Sequence, residues 1–209
     1  MNKNTSIFDN EINPLMSTAN TTIIIVNIIV FILTDFFGLS FGGEYLIDAG
    51  SLSWDRVINY HEYYRIITST FLHADIDHIF NNMLVLFFLG TYIEQYMGRI
   101  KYLIIYFSSG IIAGFTSMVY NMLRYNYTES IGASGAVFGI MGALLYILLI
   151  RHHKYHDLDL RRVAFMIFLS LYGGFTSQGV DNAAHVGGFI SGIIIAVLLN
   201  IIHFKERQE

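Results

Sequence analysis

Apolar residues run along this chain in blocks of about twenty, separated by short polar stretches. Six blocks, at 21–39, 78–96, 102–121, 131–150, 163–175 and 183–204, approach the roughly 20 helical residues that cross a bilayer. The fifth is the shortest and plausibly extends to Ser177. The first does not read as a cleaved signal peptide. No basic segment precedes it, and Ile, Val and Phe continue where small residues should mark a cleavage site. No internal repeat or low-complexity tract stands out, so residues 1–209 read as one domain with a short tail at 1–20. The stretch at 40–77 sets Trp54, Tyr60, Tyr63 and Tyr64 among charged residues, a mixture expected of a segment lying in the membrane surface.

Composition agrees with this pattern. The chain is 54% apolar and only 13% charged, with a single Pro and 18 Gly among its 209 residues. Spanning helices need few breakers, and glycine lets helices approach closely. The fold class expected is an all-α polytopic membrane protein. With no cysteine, disulfides, thiol catalysis and thiolate metal sites are excluded together. A net charge of −4 without a basic stripe argues against nucleic acid. If both termini share one side, nine basic residues collect there: Lys3, Arg99, Lys101, Arg151, Lys154, Arg161, Arg162, Lys205 and Arg207. Arg56, Arg65 and Arg124 lie on the other. That bias puts both termini in the cytoplasm.

This topology gathers the polar residues. Spans two, four and six then begin at the same outer face. His78 and Asn82 fall in the first turns of span two, Ser134 in the first turn of span four, and His185 in the first turn of span six. All four share one depth, a little below the outer surface. A hydroxyl and an imidazole are the two parts of the smallest serine-hydrolase engine. His78 and Asn82 stand at i and i+4, so both can donate to one point, as a developing oxyanion requires. Ser134 near a helix N-terminus adds unpaired backbone N–H groups and the positive end of the helix dipole. Gly132 and Gly135 flank it and leave room for a substrate backbone.

Each residue alone has a plainer reading. Gly135 and Gly139 form a helix-packing pair, and a lone Ser in an apolar helix usually bonds back to a carbonyl one turn earlier. His185 could cap a helix or relay protons, and His78 and Asn82 could face water at the interface. Their coincidence at one depth favours catalysis. The Gly188–Gly192 pair is expected to pack span six against span four and so hold the imidazole near the hydroxyl.

Several motifs in order resemble the rhomboid intramembrane serine proteases, in the compact six-helix form common in bacteria. They are Phe71-Leu72-His73-Ala74 followed by His78-Ile79-Phe80-Asn81-Asn82-Met83, then Gly132-Ala133-Ser134-Gly135, then Ala184-His185-Val186-Gly187-Gly188-Phe189. The resemblance implies a six-transmembrane-helix rhomboid-like bundle with a membrane-surface loop between helices one and two. It further implies Ser134 as nucleophile and His185 as general base, with the Ser134 N–H, His78 and Asn82 forming the oxyanion hole. Phe138 matches an aromatic position that packs on the histidine, and His73 one with a structural role. Asp181 reads as a loop residue rather than a third member of a triad. Tyr64-Arg65 stands where relatives often have Trp-Arg. Glu94 matches a family position and reads as a structural ion pair or hydrogen bond near Arg99.

The function expected is therefore cleavage of transmembrane segments of single-span membrane proteins near the extracytoplasmic face, within the lipid bilayer of a bacterial plasma membrane. No cofactor is required. Access is expected around span five and the loop 176–182, and substrates should unwind easily at their outer ends. A catalytically silent relative that binds transmembrane clients is the alternative. A proton-coupled transporter fits less well, lacking midplane acidic residues and an inverted repeat. His152, His153 and His156 have no ligand-grade spacing, so metal binding is not expected. Asn27 should make an interhelical hydrogen bond.

Overall fold

The computed structural model describes residues 17–41, 50–151, 154–155, 158–177 and 179–206. Among these the chain forms α1 (Thr18–Phe41), then two short helices, α2 (Trp54–Asn59) and α3 (Arg65–Thr68), with a 3-10 turn at Ser69–Phe71. Next come α4 (Ile76–Met97), α5 (Arg99–Leu123), α6 (Ser134–Ile150), α7 (Leu160–Thr176) and α8 (Asn182–Glu206). The sole paired strands among the described residues are β1 (Lys154–Tyr155) and β2 (Leu158–Asp159), a two-residue antiparallel pair between α6 and α7. Each of the six apolar blocks falls on one long helix, and the protein is an all-α polytopic membrane bundle. Helices α1, α4, α5 and α8 are long and apolar enough to cross a membrane, whereas α6 and α7 have 17 residues each.

The bundle is organised around α6. Ile140, Leu144, Ile147 and Leu148 on this helix are wholly buried, against Leu86 and Ile93 of α4 and Tyr102 and Ile105 of α5. On the outer faces the order is reversed: Ile25, Ile29 and Ile32 of α1 and Phe165, Phe168 and Phe175 of α7 are exposed. Hydrocarbon is the solvent for these faces, so their exposure costs nothing.

With lipid tails as apolar as leucine, helix association must come from close packing and polar bonds. Glycine supplies the first. A Cβ at Gly188 would overlap the carbonyl oxygen of Gly135, and one at Gly192 that of Gly139, so the backbones of α8 and α6 touch. The expected packing of span six on span four is present. Gly135 also admits Ala113 and Gly139 admits Ser109, both from α5.

Polar bonds secure α1. Buried Glu94 of α4 accepts from the backbone N–H groups of Ala19 (3.1 Å) and Asn20 (2.7 Å), capping α1 from another helix. Arg99 Nε lies 3.7 Å from the same carboxylate, so the expected partner is there, but the α1 amides lie closer. Helix α4 carries a π turn at Leu86–Gly90, and the Asn20 side-chain amide donates to the Leu86 carbonyl within it at 2.8 Å. The Tyr102 hydroxyl donates in turn to Asn20 Oδ1 at 2.6 Å. The Asn27 amide donates to the Ile23 carbonyl in its own helix at 2.8 Å, and its side chain also meets the Tyr106 hydroxyl of α5, as expected of a bond between helices.

Between α1 and α4, residues 42–49 of the surface loop lie outside the described residues. The remainder is fastened down. Arg65 is buried: its Nε donates to Glu62 Oε2 (2.5 Å) and a terminal nitrogen donates to the Ser51 carbonyl (2.8 Å). Tyr64, in place of the usual Trp, is exposed, with the Arg65 guanidinium 5.6 Å from its ring centre. Trp54 Nε1 donates to the Asn126 carbonyl at 2.8 Å, and Leu52 and Ser130 exchange a pair of backbone bonds at 2.9 Å.

Replacing Gly192 with Leu should wedge α8 from α6 and destabilise the bundle by about 1–3 kcal/mol or more. Thermal unfolding in detergent measures this. Ile194→Leu, at an exposed position of the same helix, should leave the midpoint unchanged.

Candidate active site

Ser134 is the first residue of α6, and no side chain caps this helix. Its N-terminal N–H groups are therefore free to meet a ligand, with the ladder beginning at Val137 N to Ala133 O (2.9 Å). Seventeen residues extend about 26 Å, short of the roughly 30 Å hydrocarbon layer. Arg151 follows the last residue of α6, its guanidinium over the Tyr96 ring at 5.2 Å.

The turn leading into Ser134 is shaped by Gly132. Its φ of +118° suits glycine, and a Cβ there would stand 2.7 Å from Cε1 and Nε2 of His78. The imidazole of His78 thus lies directly against the backbone two residues before the hydroxyl. Gly132 N–H donates to the Ser69 carbonyl (2.8 Å), which anchors the turn to the surface loop. Asp75 caps α4 by accepting from His78 N–H at 2.7 Å. One turn later Asn82 is buried, and its Nδ2 has no hydrogen-bond partner.

His185 lies in the first turn of α8. Its ring stacks on Phe138, with centroids 4.3 Å apart and planes at 23°. Phe138 stands one turn after Ser134, so the imidazole rests on the helix that carries the hydroxyl. The ring is buried and its Nδ1 is unpartnered. A Cβ at Gly174, near the end of α7, would stand 3.5 Å from this nitrogen. No hydrogen bond joins the ring to the Ser134 hydroxyl among the described residues. Such bonds are commonly loose without substrate and tighten in its complex.

His73 packs edge-on to His78, with centroids 5.0 Å apart, and one ring nitrogen lies 3.3 Å from the Phe71 carbonyl. Burial first, and the adjacent His78 second, lower its pKa from 6.5 to about 4. His73 is therefore a neutral packing element behind His78. The Asp181 carboxylate lies outside α8, as expected of a loop residue, and binds Ser130 and the Ala184 N–H rather than the imidazole. His152, His153 and His156 lie outside the described residues.

Three tethers escaped sequence reasoning: Ser69, Ser130 and Asp181. For Asp181 a signal existed, since Asp directly before an apolar helical run is a preferred N-cap. Ser69 acts through its backbone carbonyl, which no residue pattern announces.

Comparison with known proteins places these features in context. The family model described as "Rhomboid domain" matches residues 60–201. The chain is 33% identical over 178 residues to "Rhomboid protease GluP" of Bacillus subtilis (strain 168), covering 85% of this chain and 34% of that protein. It is 28% identical over 147 residues to "Putative rhomboid protease YdcA" of the same organism, covering 70% and 71%. To "Inactive RHOMBOID-like protein 8" of Arabidopsis thaliana it is 36% identical over 144 residues, covering 68% and 40%. The chain thus spans between a third and a half of the length of most of the curated relatives it matches.

Gly132→Ala would both strain the turn and strike the His78 ring. A structure of this variant should show the ring displaced by an ångström or more, together with a lowered thermal midpoint. An unmoved His78 would contradict the contact.

Proposed function

The chain belongs to the rhomboid family, and we propose that it is an intramembrane serine endopeptidase acting through Ser134 and His185. One observation carries the reading: at the end of the bundle where α6 begins uncapped, Asn82 Nδ2 and His185 Nδ1 are buried without partners, as are His73 Nε2 and Asn182 Oδ1 beside them. A buried unpaired polar group costs about 1–3 kcal/mol. Four such atoms left open at one end of the bundle make sense if substrate and water complete the site.

In the proposed mechanism His185 accepts the Ser134 proton as the hydroxyl attacks a peptide carbonyl. The charge developing on that oxygen is met by the Ser134 N–H and the side chains of His78 and Asn82. The imidazole then returns its proton to the leaving amine, and water, activated by the same base, releases the acyl-enzyme. With no carboxylate on the imidazole, the Phe138 stack takes over its orientation.

With Arg151 near the inner headgroups, a 17-residue α6 would begin below the outer surface, which sets the depth of cleavage inside the bilayer yet within reach of water. The substrate class that follows is the transmembrane segment of a single-span protein, unwound at its outer end so that a carbonyl is free of its helix. The basic-residue bias supports a topology with this end of the bundle on the extracytoplasmic side and both termini in the cytoplasm. Access past α7 is favoured because this helix buries only Val163, Ile167 and Gly174. An inactive relative at 36% identity keeps a second reading in play, that of a silent binder of transmembrane clients.

Reconstituted in liposomes with a single-span reporter, Ser134→Ala should cut nothing while unfolding at the parent temperature. Retained cleavage would sink the assignment. Asn82→Ala should lower kcat by about 100- to 1000-fold with little change in KM. A fluorophosphonate should label Ser134, and labelling should vanish in His185→Ala. An unlabelled parent chain would favour the silent binder.

A further inference from the structure

The segments carrying the hydroxyl and the imidazole are joined by a bond lying four residues upstream of each. Ser130 precedes Ser134 by four, and Asp181 precedes His185 by four. The Ser130 hydroxyl donates to Asp181 Oδ2 at 2.6 Å. The other carboxylate oxygen accepts from Ala184 N–H at 2.9 Å, and the Asp181 carbonyl accepts from His185 N–H at 3.1 Å. One carboxylate thus grips the turn before α6 with one oxygen and the first turn of α8 with the other.

The remaining side of that turn is held by the surface loop. Leu52 exchanges two backbone bonds with Ser130, Ser51 Oγ donates to Glu129 Oε2 at 2.5 Å, and Gly132 N–H donates to the Ser69 carbonyl. The tightest backbone contact between α6 and α8 is that of Gly188 on Gly135, and the Ala184 carbonyl lies 3.8 Å from where a Gly135 Cβ would stand. Ser134 lies at the end of this contact, and Gly132 in the turn that leads into it meets His78 and not α8.

We infer that Ser130 and Asp181 are positioning residues of the dyad: their bond sets the spacing of Ser134 and His185 where the glycine contact stops. The inference rests on the protease reading above. Asp181 acts through the backbone it caps and the turn it holds, not by contact with the imidazole, whose Nδ1 has no partner. In asparagine Oδ1 can still accept from Ala184 N–H while Nδ2 donates to the Ser130 hydroxyl, which accepts in turn, so the role depends on hydrogen-bond geometry and not on charge.

The test compares Ser130→Ala, Asp181→Ala, the double variant and Asp181→Asn in liposomes with a single-span reporter. Active sites are counted by end-point fluorophosphonate labelling, so that loss of folded protein is divided out. Displacements of about an ångström can cost roughly 100-fold in rate. We expect kcat per site to fall roughly ten- to 100-fold in both alanine variants, with KM unchanged. The double variant should be no worse than the poorer single, and Asp181→Asn should keep most of the parent kcat. The inference is overturned if Ser130→Ala matches the parent, if the two losses multiply, if asparagine is as poor as alanine, or if the change lies in KM. Ser134→Ala runs beside them: continued cleavage there would fell the protease reading itself, whereas a dead control with unaffected Ser130 and Asp181 variants fells this inference alone.

Discussion

The candidate site depends first on the backbone contact between α6 and α8. In water, two helices could be driven together by burial of leucines; in hydrocarbon that force is absent, and separation must be set by how near the backbones can come. Gly188 against the Gly135 carbonyl and Gly192 against the Gly139 carbonyl bring them to touching distance. Helix α6 is then packed against both α5 and α8, which also touch through Gly187 and Thr116, and its first residue is presented to the first turn of α8. The imidazole lies on Phe138 because that turn of α6 is the nearest surface available.

A second system works at the other end of α4. Glu94, Asn20 and Tyr102 join three helices through buried polar bonds. In low dielectric such bonds gain strength, and an unpaired member becomes costly. The division of labour is physical. The glycine contact leaves one end of the bundle open around Ser134, and the polar network closes the other around α1.

Much of this was legible in the sequence. The six apolar blocks gave the six long helices, and parity of the spans grouped His78, Asn82, Ser134 and His185 at one end. The Gly188–Gly192 spacing announced the α6–α8 contact, and Glu94 was recognised as structural. What was not legible depends on partners far away in the chain. No local pattern says that Glu94 caps a helix 74 residues earlier, or that Arg65 is buried against Ser51. The start of α6 at Ser134, and not at Ile131, could not be seen because Gly132 breaks the ladder without breaking the apolar run.

The π turn at Leu86–Gly90 has a bearing on angular phase. At about 100° per residue, a regular α-helix would place Asn82 and Glu94, twelve positions apart, about 120° from one another around the axis. A π turn takes up one additional residue without advancing the helix by that amount, which reduces the offset to about 20°. Both side chains can then face the bundle, one toward the open end and the other toward α1. The turn acts as a phase corrector between two polar requirements that a regular helix could not meet at this spacing. Winding the same residues into a regular α-helical turn would rotate one of them toward lipid while leaving the apolar character of the span intact.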